Sequence, residues 1–282
     1  MFEIFIVVSI SLLVTGRLCS AMKHEIYKEE HYVTGSNGFI GNHLCSVLLN
    51  FIRGSRTTVN GGAKHIVDLA SYGNLVSQTD IEEIYKVNLY RVKMLLEFSK
   101  GYDSLILTST SAIQQPKPNS YTTSKGLMEK FAMDFVHQRK LPIVVIRPSS
   151  VTGVGEQKEH LIPKLIRSCL YGEEMPFVES PVHDFIAVED VVSAILFLEE
   201  NIDNCKGRVW NVSTGVGYSN KEVKELVEKV IGKEANVKLV DSLREYDSID
   251  WIVDNSQLVG LGWKPIKTLE ETICSMVLKE KS

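Results

Sequence analysis

Short apolar runs alternate with segments of helical periodicity along the first half of the chain. The first run, His31-Tyr-Val-Thr34, reads as a strand, and Ile40, Leu44 and Leu48 behind it repeat at helical spacing. Lys64-His-Ile-Val-Asp-Leu-Ala70 reads as a buried strand. Thr79-Asp-Ile-Glu82 has the form of a capping box and opens a long helix through Ile84, Val87, Val92 and Leu96. Ser104–Thr108 is the next strand, Tyr121–His137 the next helix, and Leu141–Ile146 a further strand. Such alternation predicts a parallel sheet covered by helices on both faces. Beyond Pro148 the pattern loosens. Ser219 and Glu222 cap a helix carrying Val223, Leu226, Val227 and Val230, and Thr268 and Glu271 start a last one.

Composition narrows the class. At 282 residues, 44% hydrophobic and 23% charged, the chain has the balance of a globular protein with a full core. A net charge of −4 without a dense Lys/Arg run leaves no electrostatic footprint for nucleic acid. The five cysteines (Cys19, Cys45, Cys169, Cys205, Cys274) are scattered and odd in number, which fits reduced thiols in a cytoplasm, and no metal ligand set is expected from the sequence. Residues 1–30 form an apolar extension. Its core, Ile4–Val14, is short for a membrane span and lacks the early positive charge of a signal peptide, although Cys19-Ser-Ala21 could serve as a cleavage site. A retained segment packed beside residues 31–34 is the expectation. A cleaved signal or a membrane association through residues 4–14 is the alternative.

Candidate chemistry begins in Thr34-Gly-Ser-Asn-Gly-Phe-Ile-Gly41. Gly35 permits a tight strand-to-helix turn, Gly38 leaves the backbone open to a pyrophosphate, and Gly41 lets helix and strand pack closely. The helix start, through Asn37, Phe39 and Ile40, would turn its free N–H groups toward the phosphates. Further on, Tyr121 and Lys125 stand at i and i+4 on one helix face, where an ammonium would lower the pKa of a phenol. Thr110, eleven residues before Tyr121 and just past a buried strand, could hold a substrate oxygen beside that phenol.

These residues, with His65-Ile-Val-Asp-Leu-Ala-Ser71, Val87-Asn88, Arg147-Pro-Ser-Ser-Val-Thr-Gly153, His183–Asp190 and Leu261-Gly-Trp-Lys-Pro265, resemble the extended short-chain dehydrogenase/reductases, in particular their NAD-dependent epimerase/dehydratase group. The resemblance spans about residues 31–279. It implies an α/β fold, a Rossmann-type parallel sheet with helices on both faces, plus a small mixed C-terminal substrate domain. Residues 31–153 would bind the dinucleotide. Residues 154–282 would mostly bind substrate, with some elements returning to the core. It implies Thr110, Tyr121 and Lys125 as the catalytic set, with Tyr121 and Lys125 also touching the cofactor, NAD or NADP. Leu69, Ala70 and Pro148 would line the cofactor site beside the glycine turn, and Asn88 would pin the helix beneath it. Ser111, Ser150, His183 and Arg244 are the implied substrate contacts, Arg244 resembling an arginine that grips a diphosphate. The implied substrate is a nucleotide sugar, turned over by an epimerase through transient hydride transfer. An NADPH-dependent carbonyl or keto-sugar reductase and a non-catalytic cofactor-binding scaffold are the alternatives. A second copy of the chain is an open partner. Nucleic acid and membrane are not expected.

Three departures from that pattern carry expectations of their own. Gly35 and His65 stand 30 positions apart, too few for the usual strands and helix between them, so the strand ending at Thr34 would be left as a sheet edge. Where an acidic residue normally grips the adenosine ribose, the chain has Arg53 and Arg56. They suit a 2′-phosphate or form a solvated loop. Gln114-Gln115, Ser150 and His183 replace residues frequent in the family, which leaves the sugar open. Ser111-Ala112 replaces the Asp-Glu pair of 4,6-dehydratases, which argues against elimination.

Overall fold

The computed structural model describes residues 29–54, 62–75, 77–98, 101–241 and 250–282. The apolar segment 4–14, Arg56 and Arg244 lie outside them. Six strands form one parallel sheet: β1 (His31–Thr34), β2 (Phe51–Gly54), β3 (His65–Asp68), β4 (Ser104–Thr108), β5 (Ile143–Pro148) and, from late in the chain, β9 (Arg208–Val212). Their order is β2-β1-β3-β4-β5-β9. The chain leaves β1 toward one flank and returns on the other, so a topological switch point falls at β1 and β3. Ligands of open α/β sheets bind outside the carboxyl ends of such strands.

The central strands are buried throughout, successive residues pointing into opposite faces of the sheet. Tyr32, Ile66, Leu105 and Val145 point into a cluster with Val92, Leu96, Met128 and Ala132. Val33, Val67, Ile106 and Val144 point into another with Leu44, Val191, Ile195 and Trp210. The covering helices are α1 (Phe39–Val47), α3 (Arg91–Phe98), α4 (Ser120–Arg139) and α6 (Val188–Glu200). Two expectations are corrected here. The strand ending at Thr34 is not an edge, since Phe51–Gly54 pairs along its whole length. Arg53 therefore lies in a strand and not in a solvated loop. Among the described residues, the segment between Gly35 and His65 holds one helix and one strand, and β2 is the outer strand of the sheet.

A further correction concerns the helix expected from Thr79. Its cap is Asp80, whose carboxylate accepts from the Glu83 N–H, and α2 covers only Ile81–Tyr85. A π-helical turn, Lys86–Tyr90, then joins it to α3. Such a bulge changes which side chains face inward, and it often marks a functional position.

Past Pro148 the chain builds β6 (Ser150–Thr152), α5 (Leu161–Tyr171), β7 (Met175–Phe177), β8 (Val182–Ala187), α7 (Ile202–Cys205), β10 (Gly217–Ser219), α8 (Asn220–Ile231), β11 (Val237–Leu239), β12 (Asp250–Trp251), α9 (Ser256–Leu261) and α10 (Leu269–Glu280). A separate core under α5, α8 and α10 includes Leu165, Phe177, Val223 and Ile273. Capping boxes at Ser219/Glu222 and Thr268/Glu271 start α8 and α10. Buried Asp184 ties this region together, accepting from the Thr214 and Gly215 N–H groups at 3.0 and 2.8 Å and from Ser149 Oγ.

Candidate active site

A cleft of about 590 Å³ opens at the carboxyl ends of the central strands, within the size range of small-molecule sites. At one end lies the glycine turn. Gly35 has φ +65°, and a Cβ there would sit 2.7 Å from the Ala70 nitrogen. A Cβ on Gly41 would sit 2.1 Å from the Gly35 carbonyl oxygen, so this glycine allows α1 to start against β1. Gly38 is the N-cap of α1 and offers its first turn no side-chain cap. A Cβ on Gly38 would meet only the Gly35 oxygen, at 3.1 Å. Asn37, Phe39 and Ile40 share this wall, and Leu69, Ala70 and Pro148 complete it.

Arg53 reaches back from β2, donating to Asn37 Oδ1 at 2.5 Å and lying near the Ser36 carbonyl at 3.4 Å. Its guanidinium also sits over the Phe51 ring. It belongs to the rim of the glycine turn.

At the other end of the cleft stand Thr110, Tyr121 and Lys125. The capping box of α4, Asn119 with Thr122, fixes the turn that carries Tyr121. The phenol meets the side-chain hydroxyls of Thr110 and Ser71. Burial pushes it above its ordinary value, against the lowering effect of those two hydrogen bonds. The expectation that Lys125 lowers this phenol is corrected. The Lys125 ammonium is turned to the Thr108 carbonyl, to which it donates at 2.8 Å. Burial brings it down to about 8, Asp68 and Glu129 pulling it up and Arg91 pushing it down.

The support beneath is polar and closed. Asn88, on the π turn and fully buried, accepts from the Tyr72 N–H at 3.0 Å. It donates to the Tyr72 carbonyl at 2.8 Å and to Ser124 Oγ at 3.0 Å. Ser124 in turn donates to the Tyr121 carbonyl. Behind the cleft, Arg91 and Asp68 form a buried bidentate pair, and Thr34 donates to the same carboxylate.

Ser111 is buried one residue past Thr110, in a 3-10 turn (Ser111–Gln114), and does not line the cleft. Ser150 pairs with Phe185 at the base of the second region, and His183 packs edge-on to Phe185 and Trp251. Neither lines the cleft. The lining does include Ser71, Gln78, Gln157 and His160, which sequence reading did not single out for a role. Ser71 closes the His65–Ser71 strand motif and could have been found there. Gln157 and His160 belong to no motif.

A nicotinamide dinucleotide fits this chain on three observations. The α1 N-terminus is uncapped and bare of side chain at Gly38, as a pyrophosphate requires. Lys125 and Tyr121 stand at the far end of the same cleft. The Thr108 and Ser109 hydroxyls along it are buried without a hydrogen-bond partner.

Parallel sheet, glycine turn and Thr/Tyr/Lys cluster together define a Rossmann-type protein of the short-chain dehydrogenase/reductase kind. The chain belongs to the NAD dependent epimerase/dehydratase family, whose sequence pattern matches residues 56–213. It is 29% identical over 158 residues to the low-salt glycan biosynthesis protein Agl12 of Haloferax volcanii, covering 54% of this chain and 49% of that one. It is 26% identical over 219 residues to a dTDP-D-glucose 4,6-dehydratase of Mus musculus, covering 68% and 60%. The chain thus spans about half to three-fifths of the length of these relatives. The solved structure of MoeE5 in complex with UDP-glucose and NAD shares the fold, with a TM-score of 0.81 at 24% identity over 89% of this chain and 98% of that one.

Proposed function

We propose that this chain is a nicotinamide-dependent epimerase of nucleotide sugars. The observation that carries the reading is the convergence of Thr110, Tyr121 and Lys125 at one end of a cleft whose other end is the bare helix N-terminus. A bound nicotinamide supplies the hydride chemistry. Thr110 holds the reacting sugar oxygen next to the phenol, and Tyr121 takes its proton and later returns it. Lys125 would hold the ribose of the cofactor, and Ser71 adds a second hydroxyl beside the phenol. Asn88 positions the Tyr121 turn through Ser124. The resemblance assigns the diphosphate of the sugar to Arg244, which lies outside the described residues.

Elimination is disfavoured by the lining. No aspartate or glutamate is among the described residues around the cleft, and Ser111-Ala112 follow Thr110. A 4,6-elimination needs an acid and a base on the sugar. An NADPH-dependent keto-sugar reductase is the second reading. It is favoured by the raised phenol, which then enters as an acid, and by Arg53 beside the glycine turn, where a 2′-phosphate would pair with it. Self-association is also part of the proposal. Tyr90, Met94 and Phe98 present an exposed apolar row at four-residue spacing, with Leu127 exposed on neighbouring α4.

Turnover of UDP-glucose and other nucleotide sugars, followed together with nicotinamide absorbance, tests the reading. Interconversion of C4 epimers without net cofactor consumption is expected, and stoichiometric NADPH oxidation of a keto-sugar would replace it with the reductase. Tyr121→Phe should lower the rate ~10²–10⁴-fold while leaving the fold unchanged. Cofactor binding without turnover of any sugar would reduce the chain to a scaffold.

A further inference from the structure

At the end of the sheet opposite the cleft, two histidines and two glutamates converge. His31 and His65 open β1 and β3, and the register sets them side by side with ring centroids 4.8 Å apart. Glu199 comes from the last turn of α6, and Glu29 precedes β1. His31 is 0%, His65 5% and Glu199 2% exposed. Glu199 Oε2 lies 3.4 Å from His31 Nε2, while its Oε1 is buried with no hydrogen-bond partner. A carboxylate this deep without full partnering is costly. Glu29 Oε2 lies 3.0 Å from His65 Nε2. The ligand atoms of His31, His65 and Glu199 all fall within 4.8 Å of one another.

The far side of each ring completes the arrangement. His31 Nδ1 stands 3.0 Å from the Glu29 carbonyl oxygen, and His65 Nδ1 stands 2.8 Å from Ser104 Oγ. A carbonyl only accepts, so His31 carries a proton on Nδ1. With Nδ1 protonated, a neutral His31 turns its Nε2 lone pair to the Glu199 carboxylate, so either a shared proton or a metal cation must lie between them. Outer hydrogen bonds at Nδ1 that fix the ring and leave Nε2 directed inward are how proteins orient a metal-binding imidazole.

We propose that His31, His65, Glu199 and Glu29 bind a divalent transition-metal ion of the zinc class. Two neutral imidazoles and two carboxylates balance its charge. The nitrogen and oxygen donors suit zinc better than calcium or magnesium, which take oxygen alone. Bonds of ~2.0–2.2 Å set tetrahedral ligand atoms ~3.3 Å apart. The His31–Glu199 and His65–Glu29 separations are already near that value. The two glutamate side chains supply the remaining closure. The ion clamps α6 and the residue before β1 onto the amino ends of β1 and β3, away from the reacting groups. It does not depend on the proposed activity.

The test uses the full chain, stripped with a chelator and titrated with Zn²⁺ and with Co²⁺. One ion per chain is expected, with the intense visible absorption of tetrahedral cobalt and a raised unfolding temperature with zinc. Ser104→Ala leaves every ligand in place and should weaken affinity roughly 10–100-fold. Glu29→Gln alters a half-exposed side chain and should weaken it as well, whereas His65→Gln should abolish binding. Lack of stoichiometric binding, affinity unchanged in Ser104→Ala and Glu29→Gln, or binding that persists in a folded His65→Gln protein would each overturn the proposal.

Discussion

Replacing Lys125 with methionine separates what the proposed site costs from what it does. Lys125 is 2% exposed, and burial brings it from 10.5 down to about 8. At neutral pH the ammonium is therefore charged in a place that resists charge. The gap between those two values corresponds to ~3 kcal/mol against the folded state. Methionine keeps the apolar stem and loses one hydrogen bond, to the Thr108 carbonyl, a loss of ~1 kcal/mol. The cofactor-free variant should thus gain ~2 kcal/mol at pH ~7, or about 4–8 °C in unfolding temperature, while turnover disappears. The sign of the pH dependence follows from the depressed value. Between about 8 and 10.5 the unfolded lysine keeps a proton that the folded one has released, so wild-type stability rises with pH through that window. The advantage of methionine should shrink by ~2 kcal/mol by pH ~9.5. Thermal or urea unfolding of both proteins at the two pH values measures it. A variant that is less stable at neutral pH, or an advantage equal at both, would refute the reasoning.

Gly41→Ala should fail to fold, because its methyl would press on the backbone 2.1 Å away. Gly38→Ala meets only one atom, at 3.1 Å; circular dichroism should show it folded and calorimetry should show dinucleotide affinity reduced at least ~10-fold. Arg53→Ala should erase any preference for NADP over NAD, with a smaller loss of NAD affinity from the charge removed beside the glycine turn, as read by titration with each. Asn88→Ala strands buried partners on Tyr72 and Ser124 and should cost ~2–3 kcal/mol in denaturant unfolding, with a fall in kcat larger than any rise in KM.

The parallel sheet, the strands at β1, β3, β4 and β5 and the convergence of Gly35, Thr110, Tyr121 and Lys125 were legible because each rests on local pattern: apolar runs, glycines at fixed spacing, an i, i+4 pair. What the sequence hid was set by competition between neighbours. Asp80 took the cap from Thr79, and a π turn broke a helix whose apolar period looked continuous. Four residues at Phe51–Gly54, two of them polar or glycine, carried too little apolar signal to be read as the strand that covers β1. The direction of the Tyr121 shift was hidden too. Helical spacing sets Lys125 near the phenol, but the ammonium follows the carbonyl at the end of β4, a tertiary contact. The histidine pair was out of reach for the same reason, since His31 and His65 meet only through the register of β1 with β3.

The shortened flank bears on cofactor choice more than on catalysis. The reacting groups hang from β4 and α4, whose packing against β5 and the π turn does not involve β2. Among the described residues β2 is the strand on this flank, and its arginine is drawn onto the glycine turn by Asn37. A cation held 2.5 Å from Asn37 Oδ1 stands beside the bare helix end that a pyrophosphate would approach. Its charge adds to the helix dipole there, so phosphate groups of the dinucleotide meet two positive features instead of one. No carboxylate that would favour a ribose hydroxyl is among the described lining residues, so in the reductase reading proposed above a 2′-phosphate would meet Arg53 at this end of the cleft.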